Sequence, residues 1–342
     1  MKVKSFENVL VSIIIPCYNA QNYLEECLDS IIDQSFKNFE VIAINDGSSD
    51  KTLEILKKYS IKDERVKFFD QDNSGVSYTR NRGINLASGN YIMFVDADDF
   101  IGKHYLKEMV EYLLKNQYDF VTSGMTFCNS DGRKKREVSY SKASQELIFK
   151  EIITSIINNI YFSVCYKTLI KKKLLVDNSV FFETNIRFGE DLKFTVSLFE
   201  TASKIGFLSN SEYFYRLNEG SATSSTSVES ALKYMDDNLY IFTYLSRYTD
   251  SDYLIPNRLL SKMNISMKKV TLSTQSFKDF KTLISKFEER YPNILNNKSI
   301  KISKLYYENI LDKTLIYLLY KKKYKPYYLI NKLYFFLKEK VV

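Results

Sequence analysis

The chain has 342 residues, 45% hydrophobic and 26% charged, with only 10 glycines and 4 prolines, a balance that excludes bulk disorder and collagen-like or low-complexity architecture. Lys and Arg outnumber Asp and Glu by 49 to 41, a net charge of +8, and no apolar run approaches the ~18–20 residues that cross a bilayer. Four cysteines without a CxxC pair and a single histidine, His104, leave no thiolate zinc site and no Ser-His-Asp or Cys-His machinery. Any metal must therefore sit among oxygen ligands, which points to Mg2+ or Mn2+.

Residues 9–15 form an almost unbroken aliphatic run, the signature of a strand buried on both faces. Residues 20–33 set Tyr23, Leu24, Cys27, Leu28, Ile31 and Ile32 on one helical stripe. A second strand is expected over 39–44, with Ser48, Ser49 and Asp50 capping a helix that carries Leu53, Ile55 and Leu56. A third strand over 65–69 leads to a helix over 75–87, and a fourth over 91–95 ends in a cluster of carboxylates. Alternation of this kind builds βαβ units, and hence a mainly parallel, Rossmann-like α/β sheet with flanking helices. Such sheets bind ligands beyond the carboxyl ends of their strands. The loops at that edge hold Pro16-Cys17-Tyr18-Asn19, Asn45-Asp46-Gly47-Ser48-Ser49-Asp50, Asp70-Gln71-Asp72-Asn73-Ser74-Gly75 and Asp96-Ala97-Asp98-Asp99. Carboxylates gathered so closely repel one another unless something offsets their charge.

Beyond residue 115 the pattern loosens. A strand is expected over 118–125, a polar loop over 128–139 with the basic run Arg133-Lys134-Lys135-Arg136, and a helix over 144–159. Phe188-Gly189-Glu190-Asp191 opens another helix, followed by a strand over 205–215 and a polar loop over 216–225. From about residue 228 the periodicity is helical, so the expected division is a domain of 1–225 and a helical region of 226–342. The last 22 residues carry seven lysines and one glutamate. Ile330, Leu333, Tyr334 and Leu337 would line one side of a helix starting near Pro326. Such a basic aromatic helix suits peripheral contact with an anionic membrane, each surface lysine adding ~1 kcal/mol. A solvated tail packed on its own domain is the plainer alternative. The first residues carry no export signal, so a cytoplasmic location is expected, with contact at the inner membrane face.

Asp96-Ala97-Asp98 puts two carboxylates on one side of a strand end, where a divalent cation neutralises them and keeps positions open for phosphate oxygens. Such a DxD triplet is weakly specific alone. It is joined here, in order, by Pro16-Cys17-Tyr18-Asn19, Asn45-Asp46-Gly47-Ser48-Ser49-Asp50, Arg80-Asn81-Arg82-Gly83 with Gly89, and Gly189-Glu190-Asp191. As a set these resemble family-2 glycosyltransferases of the GT-A fold over roughly residues 9–220. The resemblance implies a GT-A domain with a C-terminal helical extension. It also implies inverting, metal-dependent, non-processive transfer of one sugar from a nucleotide-sugar, expected to be a UDP-hexose. The acceptor would be a hydroxyl of a glycan or lipid-linked oligosaccharide, in surface polysaccharide synthesis.

Carried onto this chain, the resemblance places Pro16, Tyr18 and Asn19 around the base, with Tyr18 available to stack. Asp46 would accept the N3–H of uracil, and Arg80 would lie over the base or diphosphate. Asp96 would reach the ribose or the metal, Asp98 would ligate Mg2+ or Mn2+, and Asp191 would be the catalytic base. Arg216 and Ser221 are candidates for a diphosphate clamp, whereas Asp99 is expected to orient a neighbour. A helix start should hold the Asp191 pKa low until substrate desolvates it. With no QxxRW motif and no tryptophan, a polymer-extruding synthase is disfavoured. The rivals are a nucleotidyltransferase, whose glycine- and lysine-rich phosphate loop is missing, and a non-enzymatic basic adaptor on membrane or RNA. The adaptor leaves the acid cluster without purpose, since acids repel phosphate backbones, and no nucleic acid partner is expected.

Overall fold

The aliphatic runs fold as their composition requires. Strands β1 (Val11–Cys17) and β2 (Phe39–Asp46) are buried almost residue by residue and pair in parallel, Ile14 opposite Ile42. On their outer sides lie β3 (Val66–Gln71), parallel to β2, and β4 (Tyr91–Phe94), parallel to β1. The connecting helices are α1 (Leu24–Ile32), α2 (Thr52–Lys62) and α3 (Val76–Leu86). Helix α1 buries Leu24, Cys27, Leu28 and Ile31, the stripe its spacing predicts. Helix α2 instead turns Thr52, Leu56 and Tyr59 inward. Helix α3 packs close to β1 because residue 83 is glycine; a Cβ there would stand 2.4 Å from Cγ2 of Ile14.

The computed structural model describes residues 9–140, 151, 165–210, 212–217, 227–274, 276–301 and 310–339. These fall into two compact units, one drawn from Met1–Phe149, Tyr161–Ile186 and Glu190–Glu219, the other from Lys150–Ile160, Arg187–Gly189 and Gly220–Val342. The second unit therefore takes Arg187–Gly189 as well, which a single cut near residue 225 does not describe.

In the first unit, several expected elements are corrected. The single strand over 118–125 is two, β6 (Phe120–Ser123) and β7 (Met125–Cys128), in different sheets. They part at Gly124, where a Cβ would lie 2.5 Å from the Val138 carbonyl oxygen and 3.0 Å from that of Asn210. The polar loop contains a strand, β8 (Lys134–Val138), antiparallel to β7. An unforeseen β9 (Thr168–Lys171) inserts antiparallel between β4 and β6 and runs directly into α5 (Lys172–Asp177). The strand over 205–215 is likewise two, β10 (Ile205–Leu208) and β11 (Tyr213–Arg216).

With β5 (Phe100–Ile101) these make a seven-stranded sheet, β10-β6-β9-β4-β1-β2-β3, and a four-stranded sheet, β5-β11-β7-β8. Helices α4 (Tyr105–Asn116) and α6 (Glu190–Thr201) complete the unit. All four cysteines are buried free thiols. His104 precedes α4 with Nδ1 3.0 Å from Ser35 Oγ, a structural position. Apart from residue 151, the helix expected over 144–159 lies outside the described residues, as does Ser221.

The second unit is helical. Helices α7 (Val228–Leu245), α8 (Leu254–Ser273), α9 (Phe277–Arg290), α10 (Pro292–Leu295), α11 (Ile310–Tyr320) and α12 (Tyr324–Glu339) enclose Met235, Phe242, Leu260, Met263, Met267, Phe280 and Phe287. Helix α12 begins two residues before Pro326, whose missing N–H falls among donors with no intrahelical partner. Tyr327 and Asn331 of α12 face inward, Tyr327 bonded to Asn264. Leu329, Leu333 and Tyr334 are instead exposed, at 55%, 58% and 38%. Among the described residues, no helix is long and apolar enough to cross a membrane.

Candidate active site

The loops after β1 and β2 are laced together. Asn19 adopts the left-handed conformation, φ 48°, which asparagine tolerates better than most residues. There its N–H donates to Ser48 Oγ, and its Oδ1 accepts from the Ser49 N–H. Ala20 N–H donates to Thr52 Oγ1, Gln21 N–H to Asp50 Oδ2, and Lys51 N–H to Gln21 Oε1. Tyr18, at the tip, is 57% exposed.

Asp46 ends β2 fully buried, and its carboxylate already has partners. Oδ1 accepts from Gln71 Nε2 at 2.7 Å and the Ser74 N–H at 2.8 Å, and Oδ2 from the Gly75 N–H at 2.9 Å. This carboxylate thus fixes the loop that leads into α3, a role the sequence does not announce. Gly75 has φ 85°, which suits glycine at that corner.

Arg80, on the buried side of α3, gathers the acids. Nη2 donates to Asp96 Oδ1 at 2.9 Å and Nη1 to Glu190 Oε1 at 3.2 Å, and the guanidinium lies over the Phe182 ring at 5.2 Å. It thereby joins α3, the end of β4 and the first turn of α6. The Asp98-Asp99 turn is held by other groups. Tyr213 Oη donates to Asp99 Oδ2 at 2.8 Å, and the Arg216 N–H donates to Asp99 Oδ1 at 2.9 Å. Arg216 directs all three side-chain nitrogens at protein oxygens: Nε at the Asp98 carbonyl, Nη1 at the Ser130 carbonyl and Nη2 at Glu26. Burial and the charges of Asp98 and Asp96 push the Asp99 pKa well up. Asp99, read from the sequence as an orienting residue, accepts from Tyr213 and from the Arg216 backbone. Glu190, Tyr213 and Glu26 were not singled out; only Glu190, beside Asp191 in a quoted motif, carried a signal.

Asp191, in the first turn of α6, corrects the expected low pKa. Burial, followed by the neighbouring Glu190 charge, pushes its carboxyl up to about 7, while Arg80 pulls the other way. Desolvation outweighs the helix terminus here. Asp96 adds to the same upward push, which places Asp191 and the strand-end acids in one field.

The donor set at the end of β4 fits a hard cation. Among the described residues no three His, Cys, Asp or Glu side chains form a ready-made cage. Two carboxylates, Asp96 and Asp98, match a metal that completes its shell with phosphate oxygens and water.

Residues 12–177 match the model for glycosyl transferase family 2. Over 220 residues the chain is 31% identical to the glycosyltransferase GlyG of Streptococcus pneumoniae, an alignment covering 62% of this chain and 72% of GlyG. The chain belongs to glycosyltransferase family 2. This glycosyltransferase is also 33% identical over 218 residues to EpsJ of Bacillus subtilis, an uncharacterised glycosyltransferase of which it spans 63%. It is 30% identical over 221 residues to the poly(ribitol-phosphate) β-N-acetylglucosaminyltransferase TarS of Staphylococcus aureus, covering 64% of this chain and 37% of TarS. The crystal structure of TarS 1–349 with UDP-GlcNAc superposes with a TM-score of 0.57 over 95% of this chain and 91% of that one, at 21% identity. The glycosyltransferase thus has the GT-A fold, and its relatives by name include enzymes of teichoic acid synthesis.

Proposed function

We propose that this glycosyltransferase moves a single hexose, with inversion, from a UDP-sugar to a hydroxyl of a surface glycopolymer. The observation that carries the reading is the placement of Asp191 in the first turn of α6, next to Glu190, which Arg80 joins to Asp96; burial and Glu190 push its carboxyl up to about 7. A general base is most effective when its pKa lies near the working pH. Asp191 accepts the proton that the acceptor hydroxyl loses as it attacks the anomeric carbon. Asp98, with Asp96, would hold Mg2+ or Mn2+, which would supply positive charge against the diphosphate leaving group. Arg80 donates to both Asp96 and Glu190, so a cation already sits among the acids of the site.

Tyr18 offers its exposed ring to the base, beside Pro16 and Asn19. With three N–H groups already on the Asp46 carboxylate, the uracil N3–H takes its remaining acceptor capacity. Arg216 supports the Asp98 turn rather than gripping the diphosphate, since its nitrogens are engaged. The glycopolymer acceptor is supported by the likeness to TarS, a poly(ribitol-phosphate) β-N-acetylglucosaminyltransferase. Peripheral contact with anionic membrane is supported by exposed Leu329, Leu333 and Tyr334 on a lysine-rich helix.

Thermal shift with UDP, GDP and ATP, each with and without Mn2+, tests the donor. UDP should stabilise the protein in a metal-dependent way, and Asp98→Ala should abolish that dependence. Stabilisation by ATP in place of UDP would favour nucleotidyl transfer and overturn the reading.

A further inference from the structure

The two faces of the smaller sheet differ in character. On one, Phe214 stacks on Phe100 at 4.6 Å and Arg216 is locked into the Asp98 turn. On the other runs a row of aromatic rings. Tyr166 stacks on Tyr213 at 5.2 Å and on Tyr215 at 5.4 Å, and Tyr215 meets Phe127 edge-on at 5.5 Å. The guanidinium carbon of Arg136 lies 4.7 Å from the Phe127 ring centre. Strand register produces this row, because Tyr215 lies opposite Phe127 in β7 and Phe127 opposite Arg136 in β8.

The row starts at the acids and ends at a cation. At its inner end Tyr213 donates to Asp99. Burial, and after it the charges of Asp99, Asp96, Asp98 and Asp191, raise the Tyr215 phenol, and Tyr166 links its ring to that of Tyr213. Further out, Tyr215 and Phe127 are half-buried and Arg136 is exposed. Adding the two contacts, 5.5 Å and 4.7 Å, puts the guanidinium within about 10 Å of the Tyr215 ring.

We propose that Tyr215, Phe127 and Arg136 form the acceptor track, and that the acceptor carries phosphodiester groups between its sugar or polyol units. The proposal rests on the reading of Asp191 as the base that meets the acceptor hydroxyl. Half-exposed rings give the carbon-bound face of a sugar an apolar platform. An arginine fork matches the oxygens of a phosphate. The cation is specific to this place: residues 1–219 hold 28 Lys and Arg against 30 Asp and Glu, so this part of the chain is net negative. An edge strand also uses charge to discourage pairing with other chains, but exposed Lys135 meets that need without a guanidinium seated on a ring. A bulge between Phe127 and Cys128 sends Lys134 to the opposite face, 5.3 Å from the Phe214 ring. The two cations of one strand therefore separate by face, which supplies an internal control.

Fluorescence anisotropy with a labelled poly(ribitol phosphate) oligomer and a neutral oligosaccharide of equal length tests this on the full chain. Wild type should bind the phosphate polymer more tightly than the neutral one. Arg136→Gln should weaken polymer binding about tenfold and flatten its salt dependence, the loss of one charge-assisted contact. Lys134→Gln should leave binding within about twofold, because its charge lies on the other face. The UDP- and Mn2+-dependent thermal shift should be the same in all three proteins. If that shift is missing in the wild type, the donor reading fails; if it is present and Arg136→Gln binds the polymer as wild type does, the acceptor track fails. Equal effects of the two variants, or loss of binding to phosphatidylglycerol vesicles with polymer binding retained in Arg136→Gln, would also overturn the proposal, the last in favour of lipid.

Discussion

Replacing Asp191 with asparagine should lower turnover and raise stability. In the folded chain the carboxyl is raised from 3.8 to about 7 by burial and by Glu190. The unfolded chain releases this proton near 3.8, so between those values the unfolded state binds fewer protons and stability falls as pH rises. The gap of about 3 pH units sets a ceiling of about 4 kcal/mol on what the ionised group costs at pH 8. An amide carries no such cost. At about 2–4 °C per kcal/mol for a unit of this size, Asp191→Asn should melt several degrees above wild type at pH 8. The difference should shrink as pH falls toward 4, where both side chains are neutral. Turnover should drop roughly 10²–10⁴-fold with UDP binding retained. In the wild type, kcat/KM should fall about tenfold per pH unit below ~7 and level off above it. UDP release and thermal unfolding, both measured from pH 5.5 to 8.5, give the two readouts. A melting difference independent of pH, or normal turnover in the variant, would refute the assignment of Asp191 as a raised-pKa base.

Other perturbations separate structural from chemical roles. Arg216→Met should cost about 2–4 kcal/mol in urea unfolding, since three buried hydrogen bonds go with the guanidinium, and it should also weaken UDP–Mn2+ binding through the loosened Asp98 turn. A variant of normal stability that lost only UDP affinity would make Arg216 a diphosphate clamp after all. Gly83→Ala should destabilise by about 1–3 kcal/mol, because its Cβ would press on Ile14, and a neutral result in thermal unfolding would contradict the close α3–β1 packing. The double change Leu329→Ser and Leu333→Ser touches only exposed positions, so it should reduce sedimentation with anionic vesicles without moving the melting temperature. Unchanged sedimentation would remove α12 from membrane contact.

The parallel half of the fold was legible because β1 and β2 are buried on both faces and must read as apolar runs between helical stripes. Strand β9 was not, because four residues, Thr168 to Lys171, lie between other motifs and pass into α5 without a turn signal. The breaks at Gly124 and between β10 and β11 were hidden for a similar reason. A chain that changes sheets keeps its strand-like composition, and only the close approach of the Val138 and Asn210 carbonyls to Gly124 marks the step. At the site, the acids stood out in the sequence because loops that cluster charge are unusual. Their partners Tyr213 and Glu26 did not, and Arg216 read as a clamp rather than a support, since these residues come from distant segments that meet only through tertiary packing. The raised Asp191 pKa was missed because position along a helix can be read from sequence, whereas solvent exclusion cannot.

The stitching of Asn19, Ala20 and Gln21 to Ser48, Ser49, Asp50 and Thr52 has a thermodynamic consequence. Two connectors that would otherwise sample many shapes are already frozen against each other, so most of their disorder is surrendered when the polypeptide folds rather than when a nucleotide arrives. Capture at Tyr18 should therefore proceed with little reshaping of the backbone around it.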